Sequence, residues 1–167
     1  MTDNFPRAGF RRRFGAWVYD CLLACAIYMT IGLIASLILN VLFAHGYINN
    51  LAFETASDYA AQSMFYKVTL NTIAFLAIAY FFIFFWSRSG QTLGMRAWKL
   101  RVQTQQGYVI SKITGLKRLL VSFLGLGSLT VLIDRKNKLS LQDRLTNTEI
   151  VVLSLEANKG TNWSNGE

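Results

Sequence analysis

Four charged side chains and one turn carry the chemical potential of an otherwise apolar chain. Asp20 stands where an uncharged run begins, with Arg13 seven residues before it. An acid at the start of an apolar helix is costly unless it is paired or wet. Seven residues make about two helical turns, so both side chains share a face about 10 Å apart along the axis, and a long arginine can shorten that gap by snorkelling. Asp20 is therefore a candidate ion or proton site with Arg13 or Arg118 as counter-charge; the plainer alternative is an acid favoured by the helix dipole at the first turn. Gly90-Gln91-Thr92-Leu93-Gly94 offers a free backbone and polar donors, an anion-binding or helix-capping turn that lacks the Gly-Lys-Ser/Thr ending of a phosphate loop. Asp143, between Gln142 and Arg144 with Thr146 and Thr148 nearby, reads either as an acid close to the membrane surface or as part of a solvated loop.

Other reactive residues assemble into nothing. Cys21 and Cys25 lie four apart on one helix face, too stretched for a strain-free disulfide, and read as small packing residues. His45 is the one histidine, so neither a metal constellation nor a nucleophile–base set can be written. No catalytic, metal or cofactor site is expected, and an enzyme is the weakest reading.

The elements that must position these residues follow from composition. In 167 residues, 53% are hydrophobic and 16% charged, with a single proline and a net charge of +8. That excludes a disordered chain and argues against an ordinary soluble enzyme. Residues 21–39, in an apolar run extending to 44, and residues 68–86 contain no charge. Each is long enough to cross a hydrocarbon core of about 30 Å. The first is too long for the core of a cleavable signal, and no small-x-small cleavage site follows. A third apolar run, 119–133, contains Gly125 and Gly127 and covers only about 22 Å as a helix. It is either a short third span or a re-entrant or interfacial segment.

Charge orients these runs. Four Lys/Arg precede residue 16, one lies within 45–67, seven lie within 87–118 and five follow residue 133. The excess of cations belongs on the cytoplasmic side, which predicts a cytoplasmic N-terminus in a multi-pass membrane protein. A crossing third run would carry a basic tail outside, so charge and length both favour the re-entrant reading. Trp17 and Tyr19, and the cluster of Phe81, Phe82, Phe84, Phe85 and Trp86, mark the inner ends of the two spans. Net charge laid out by membrane side leaves no single nucleic-acid face.

The alternation of Leu100-Arg101-Val102-Gln103-Thr104, the turn Gln105-Gln106-Gly107 and the following Tyr108-Val109-Ile110 predict a small hairpin. A β-branched stretch over 148–153 predicts another strand, and a sheet joining loop and tail would need both on one side. The expected architecture is thus an all-α membrane protein. It comprises a basic cytoplasmic N-terminus over 1–15, a membrane domain over 16–152, and a polar tail over 153–167. The domain holds spans at about 17–44 and 68–86, the third segment at 119–133, and a small cytoplasmic β element. The end of the tail, 158–167, is expected to be disordered.

Taken in order, these pieces resemble the RDD family of small prokaryotic membrane proteins. Arg13, Ala16 and Asp20 match its Arg-x-x-Ala-x-x-x-Asp pattern, and Gly90, Gln91, Thr92 and Gly94 match its Gly-Gln-Thr-x-Gly turn. Leu100-Arg101-Val102 with Gly107 matches the strand and glycine that follow. Arg118 matches an arginine before the third apolar run, and Asp143 with Leu145, Thr148 and Val151 matches the ending. Met95 stands where the family often has lysine, and Gln142 where it often has histidine, so no titrating imidazole is available beside Asp143. The family has no settled activity; the resemblance implies at most the transport role, including sodium–proton exchange, suggested for some members.

Two functions are expected from these readings. One is an ion or small-solute transport component that must be homo-oligomeric, since two or three helices enclose no pathway. The other is a membrane-anchored interaction or assembly protein presenting a basic cytoplasmic face. The expected partners are anionic lipid headgroups and either further copies or a membrane partner protein.

Overall fold

The computed structural model describes residues 5–48, 53–122, 130–131 and 137–160. Its elements run α1 (Phe10–Ala44), α2 (Ala56–Gln62), α3 (Met64–Arg88), α4 (Leu93–Ala97), β1 (Leu100–Thr104), α5 (Lys112–Ser122), α6 (Leu141–Leu145), β2 (Thr148–Val152) and α7 (Leu155–Lys159). Among the described residues, α1 and α3 are long and apolar enough to cross a membrane, with only 6% of each apolar window buried. A soluble core helix would be covered by its own chain. These two leave Leu33, Leu37, Phe75 and Leu76 more than half exposed, as lipid-facing helices do. The chain divides into two compact units, Leu23–Ile78 and the pair Met1–Leu22 with Ala79–Glu167.

In the unit Leu23–Ile78, short polar caps break the helices. Thr55 caps α2 by accepting the Asp58 N–H at 3.1 Å. Ser63 leaves the helical region to end α2, and its hydroxyl accepts the Tyr66 N–H at 3.3 Å to start α3. Tyr59 packs on Phe43, Phe53 and Tyr66, with ring centroids 5.4–6.2 Å apart. The Tyr28 hydroxyl donates to Asn71 at 3.2 Å.

In the second unit a two-stranded antiparallel sheet organises everything else. β1 pairs with β2 from Leu100 opposite Val152 to Thr104 opposite Thr148. The N-terminal segment adds to the free edge of β2: Ala8 N–H donates to Ile150 at 2.8 Å, and Val152 N–H donates to the Pro6 carbonyl at 2.9 Å. Proline fits here because an edge strand needs no second ladder of donors. Val102 N–H in turn donates to the Gly90 carbonyl at 2.8 Å. The core under the sheet is Ala8, Ala16, Met95, Leu100, Val102 and Ile110, with Trp86, Ile150 and Val152 packed against it.

The structure revises several expectations. The turn at 105–107 forms, with Gly107 at φ 87° and its N–H on the Thr104 carbonyl at 2.9 Å. The hairpin does not: Thr104 N–H closes on the Tyr108 carbonyl, and the chain then drives Ile110 into the core and enters α5 through the Ser111 cap. β2 replaces 108–110 as partner because it offers five paired residues and buries Val151 completely. α1 begins at Phe10, so the helix runs ahead of the span expected from about 17 without moving that span. The tail is helical over Leu155–Lys159 behind a Ser154 cap, so Asn158 and Lys159 are ordered, and 161–167 lie outside the described residues. The third apolar segment, 119–133, falls outside the described residues except for the end of α5 and residues 130–131.

Leu100 is 1% exposed and sits at the centre of this core. Leu100→Ala is expected to destabilise the fold by about 2–5 kcal/mol, read as a lowered melting temperature of the detergent-solubilised protein. Leu155→Ala, at an exposed position, is expected to change stability by less than about 0.5 kcal/mol.

Candidate functional site

The first turns of α1 present one buried face. Arg13, Ala16 and Asp20 are at most 6% exposed, while Arg11, Arg12, Phe14, Trp17 and Tyr19 face outward. Spacings of three and seven residues place the buried three in line on a helix, and each position has its own reason.

Arg13 reaches four acceptors. Its Nε donates to the Ala8 carbonyl at 3.0 Å and its Nη2 to the Lys138 carbonyl at 2.9 Å. Its Nη1 donates to Asp143 Oδ2 at 2.6 Å and to Ser140 Oγ at 3.3 Å. The other oxygen of Asp143 accepts Arg118 Nη1 at 2.9 Å. Arg118 comes from α5, where Gly115 and Arg118 face inward. It also donates to the Thr148 hydroxyl, and its guanidinium lies 5.8 Å from the centre of the Trp86 ring. Asp143 is fully buried and closes a capping box at the start of α6: Ser140 N–H donates to its Oδ2 at 3.0 Å, and Ser140 Oγ accepts its N–H at 3.4 Å. One carboxylate thus joins α1, α5, α6 and β2.

Burial pushes the Asp143 carboxyl up. The charges of Arg118 and Arg13 and the hydrogen bonds from Ser140 and Arg13 outweigh it, holding the group below the ordinary aspartate value of 3.8. Burial presses the Arg118 guanidinium below the usual arginine value, and the Asp143 charge offsets part of that. Two cations on one anion leave a net positive charge in a place almost without solvent. Such an arrangement holds only while every partner is present.

Asp20 has a different role. Its Oδ2 accepts the Thr92 hydroxyl at 2.6 Å, and its Oδ1 accepts the Gly94 N–H at 3.0 Å. Thr92 is the N-cap of α4, with its Oγ1 accepting the Met95 N–H at 3.1 Å. Asp20 therefore caps α4 from outside, supplying an acceptor to a first-turn N–H that the helix leaves unpaired. Gly94 makes this approach possible: a Cβ there would stand 2.5 Å from the Ala16 carbonyl oxygen and 2.6 Å from Asp20 Oδ1. Gly90 sits at φ 70°, and a Cβ there would meet the Val102 carbonyl oxygen at 2.5 Å. Gln91 fastens the same turn to the sheet and tail, donating to the Leu100 carbonyl at 2.7 Å and to Asn158 Oδ1 at 2.9 Å. A cavity of about 50 Å³ adjoins this turn, lined by Phe85, Ser89, Gln91, Thr92, Leu93, Arg96 and Gly160. It has room for a few waters.

All eight residues singled out from the sequence thus lie in the second unit, in two linked clusters. The pairing differs from expectation. Arg13 and Arg118 are not counter-charges to Asp20: both bind Asp143, and Asp20 has no ion-pair partner among the described residues. Asp143 is not in a solvated loop. The turn at 90–94 caps a helix, and the anion at its backbone is a side chain of this protein. Ser140 was not anticipated, although its spacing of three before Asp143 is a readable capping signal. The carbonyls of Ala8 and Lys138 leave no trace in side-chain identity.

Asp143→Asn would leave two buried guanidinium groups without their anion and is expected to cost about 3–5 kcal/mol, measured by denaturation in detergent. Because the folded carboxyl titrates below its unfolded value, its contribution is complete above about pH 4 and is lost as pH falls through the lower folded value. A stability profile from pH 7 downward should therefore hold this contribution until acid pH, and Asp143→Asn should abolish the acid-dependent part. Gly94→Ala should separate α4 from α1, read as faster hydrogen exchange at the amides of positions 94 and 95 while the β1–β2 amides stay protected.

No curated protein and no solved structure matches this chain. A family model does, over residues 7–147, and it is described as the RDD family. That interval contains the arginine of α1, the acid that caps α4 and the acid that ties α5 to α1. With two apolar helices and this match across most of its length, the chain is a membrane-type protein belonging to the RDD family.

Proposed function

We propose that this protein is a membrane-anchored interaction or assembly protein that presents a basic cytoplasmic face, and that its buried charges hold that face in shape. The observation that carries this reading is that Arg13, Asp20, Arg118 and Asp143 are each consumed by partners within the chain. Arg11, Arg12, Arg88, Arg96 and Lys117 lie at exposed positions. A pathway needs ligands that can release their partners for an ion. Here the acids bridge structural elements.

The topology belongs to the same proposal. Residues 6–8 and β1 are each hydrogen-bonded to β2, which supports a topology with the chain before α1, the loop after α3 and the tail on one side of a bilayer. Two crossings, out through α1 and back through α3, satisfy that requirement. Arg118 and Asp143 are 2.9 Å apart on either side of the third apolar segment, which supports a C-terminus on the N-terminal side. The distribution of Lys/Arg makes that side cytoplasmic, in a bacterial inner membrane. Lipids with acidic headgroups would meet the exposed cations at about 1 kcal/mol each.

A second reading, an oligomeric transporter of ions or small solutes, draws on Asp20, a buried carboxylate in an apolar helix with no ion-pair partner among the described residues. One set of measurements separates the two. For the assembly protein, purified chain in vesicles moves neither sodium nor protons, and photocrosslinkers at Arg12 and Arg96 capture a protein partner in cells that Arg12→Glu and Arg96→Glu lose. Cation flux abolished by Asp20→Asn would establish the transporter instead. A periplasm-active reporter that works when fused after Glu167 would overturn the topology.

A further inference from the structure

α5 carries its polarity the wrong way round for a helix packed on a soluble core. Its inward residues are Gly115 and Arg118, and its outward ones include Ile113, Leu116 and Leu120, exposed by 69%, 47% and 64%. At about 100° per residue, Ile113, Leu120 and Leu116 fall within about 60° of arc, and their centre lies about 160° from that of Gly115 and Arg118. Lys117 and Lys112, both exposed, stand about 40° beyond the two edges of this stripe. An apolar stripe between two lysines, turned away from the protein, is the pattern of a helix lying in a lipid interface, its cations reaching for headgroups.

The packing sets a depth. A Cβ on Gly115 would stand 3.7 Å from Ile83 Cγ2, so α5 meets α3 at Ile83. Ile83 lies five residues before Arg88, the end of α3, which is about 7.5 Å along the axis. Interfacial helices bury their apolar faces about 5–10 Å into the headgroup and acyl boundary.

We infer that α5 is an interfacial helix whose Ile113, Leu116 and Leu120 enter the inner leaflet while Lys112 and Lys117 bind lipid phosphates. The occupant of this face is bilayer lipid rather than a second chain, because the stripe lies on a helix that meets an apolar span at Ile83 and is edged by charges complementary to anionic headgroups. The inference rests on the membrane reading above. It goes further in assigning α5 to the bilayer surface and in placing the Arg118–Asp143 pair on the protein-facing side of that helix. Through this pair, lipid composition would act on the clamp that holds the basic face.

The test uses full-length protein with Cys21→Ala and Cys25→Ala, reconstituted in phosphatidylglycerol–phosphatidylcholine vesicles. Single cysteines replace Ile113, Leu116, Leu120, the exposed Ser111 and the exposed Leu76 of α3, each carrying a nitroxide. Collision rates with oxygen and with a water-soluble nickel chelate are compared. The expected result is a several-fold higher oxygen-to-nickel ratio at 113, 116 and 120 than at 111, approaching the ratio at 76. Ratios like that of 111 at all three positions, with 76 still in lipid, would overturn the inference and leave the membrane reading standing. An aqueous label at 76 would remove both. Spin–spin broadening at 116 that disappears on dilution with unlabelled protein would assign the face to a second copy and overturn the lipid assignment.

Discussion

Two arginines meet one carboxylate in a space almost free of water, and the second unit is arranged around that meeting. Asp143 is fully buried, with Arg13 at 2.6 Å on one oxygen and Arg118 at 2.9 Å on the other. Desolvating three charges costs several kcal/mol each unless geometry and further hydrogen bonds compensate. The compensation is local: Ser140, Thr148 and the carbonyls of Ala8 and Lys138 take up several further donors and acceptors. Two of the four elements that supply these groups are short. α6 and β2 have five residues each, too few to persist alone. Coupling through one anion gives them a common fate.

The second acid solves a different problem. α4 is a single turn with polar N–H groups to satisfy beside an apolar helix. Asp20 supplies the acceptor, Ala16 and Gly94 supply the closeness, and Thr92 links cap and carboxylate. Gln91 and Gly90 continue the same turn into the sheet. Basic residues thus divide by position rather than by type. Arg13 and Arg118 are consumed inside, whereas Arg11, Arg12, Lys112 and Lys117, their neighbours in the chain, stay outside. A protein built this way can show a cationic surface to lipid or partner without depending on that partner for its shape.

Much of this was legible in one dimension. The apolar runs in α1 and α3 are long, uncharged and local, so length alone identifies them. The common face of Arg13, Ala16 and Asp20 follows from helical period. Glycines at 90 and 94 announced a turn. Partner choice was not legible. Asp20 and Arg13 share a face and have opposite charge, yet each bonds a residue more than seventy positions away. The hairpin at 100–110 failed for the same reason: adjacent chain lost to β2, whose advantage exists only once the N-terminal segment and the core are in place.

The amino-acid order alone determined that two helices are lipid-compatible and which few charges stand among apolar neighbours. These depend on interactions within a few residues, which sequence displays directly. Only the tertiary structure decided that Asp143 is the shared anion, that Asp20 caps α4, and that α5 turns its apolar stripe outward. Each of these depends on which distant surfaces exclude water together. A carboxylate carries no mark of its partner until folding has removed the solvent around it.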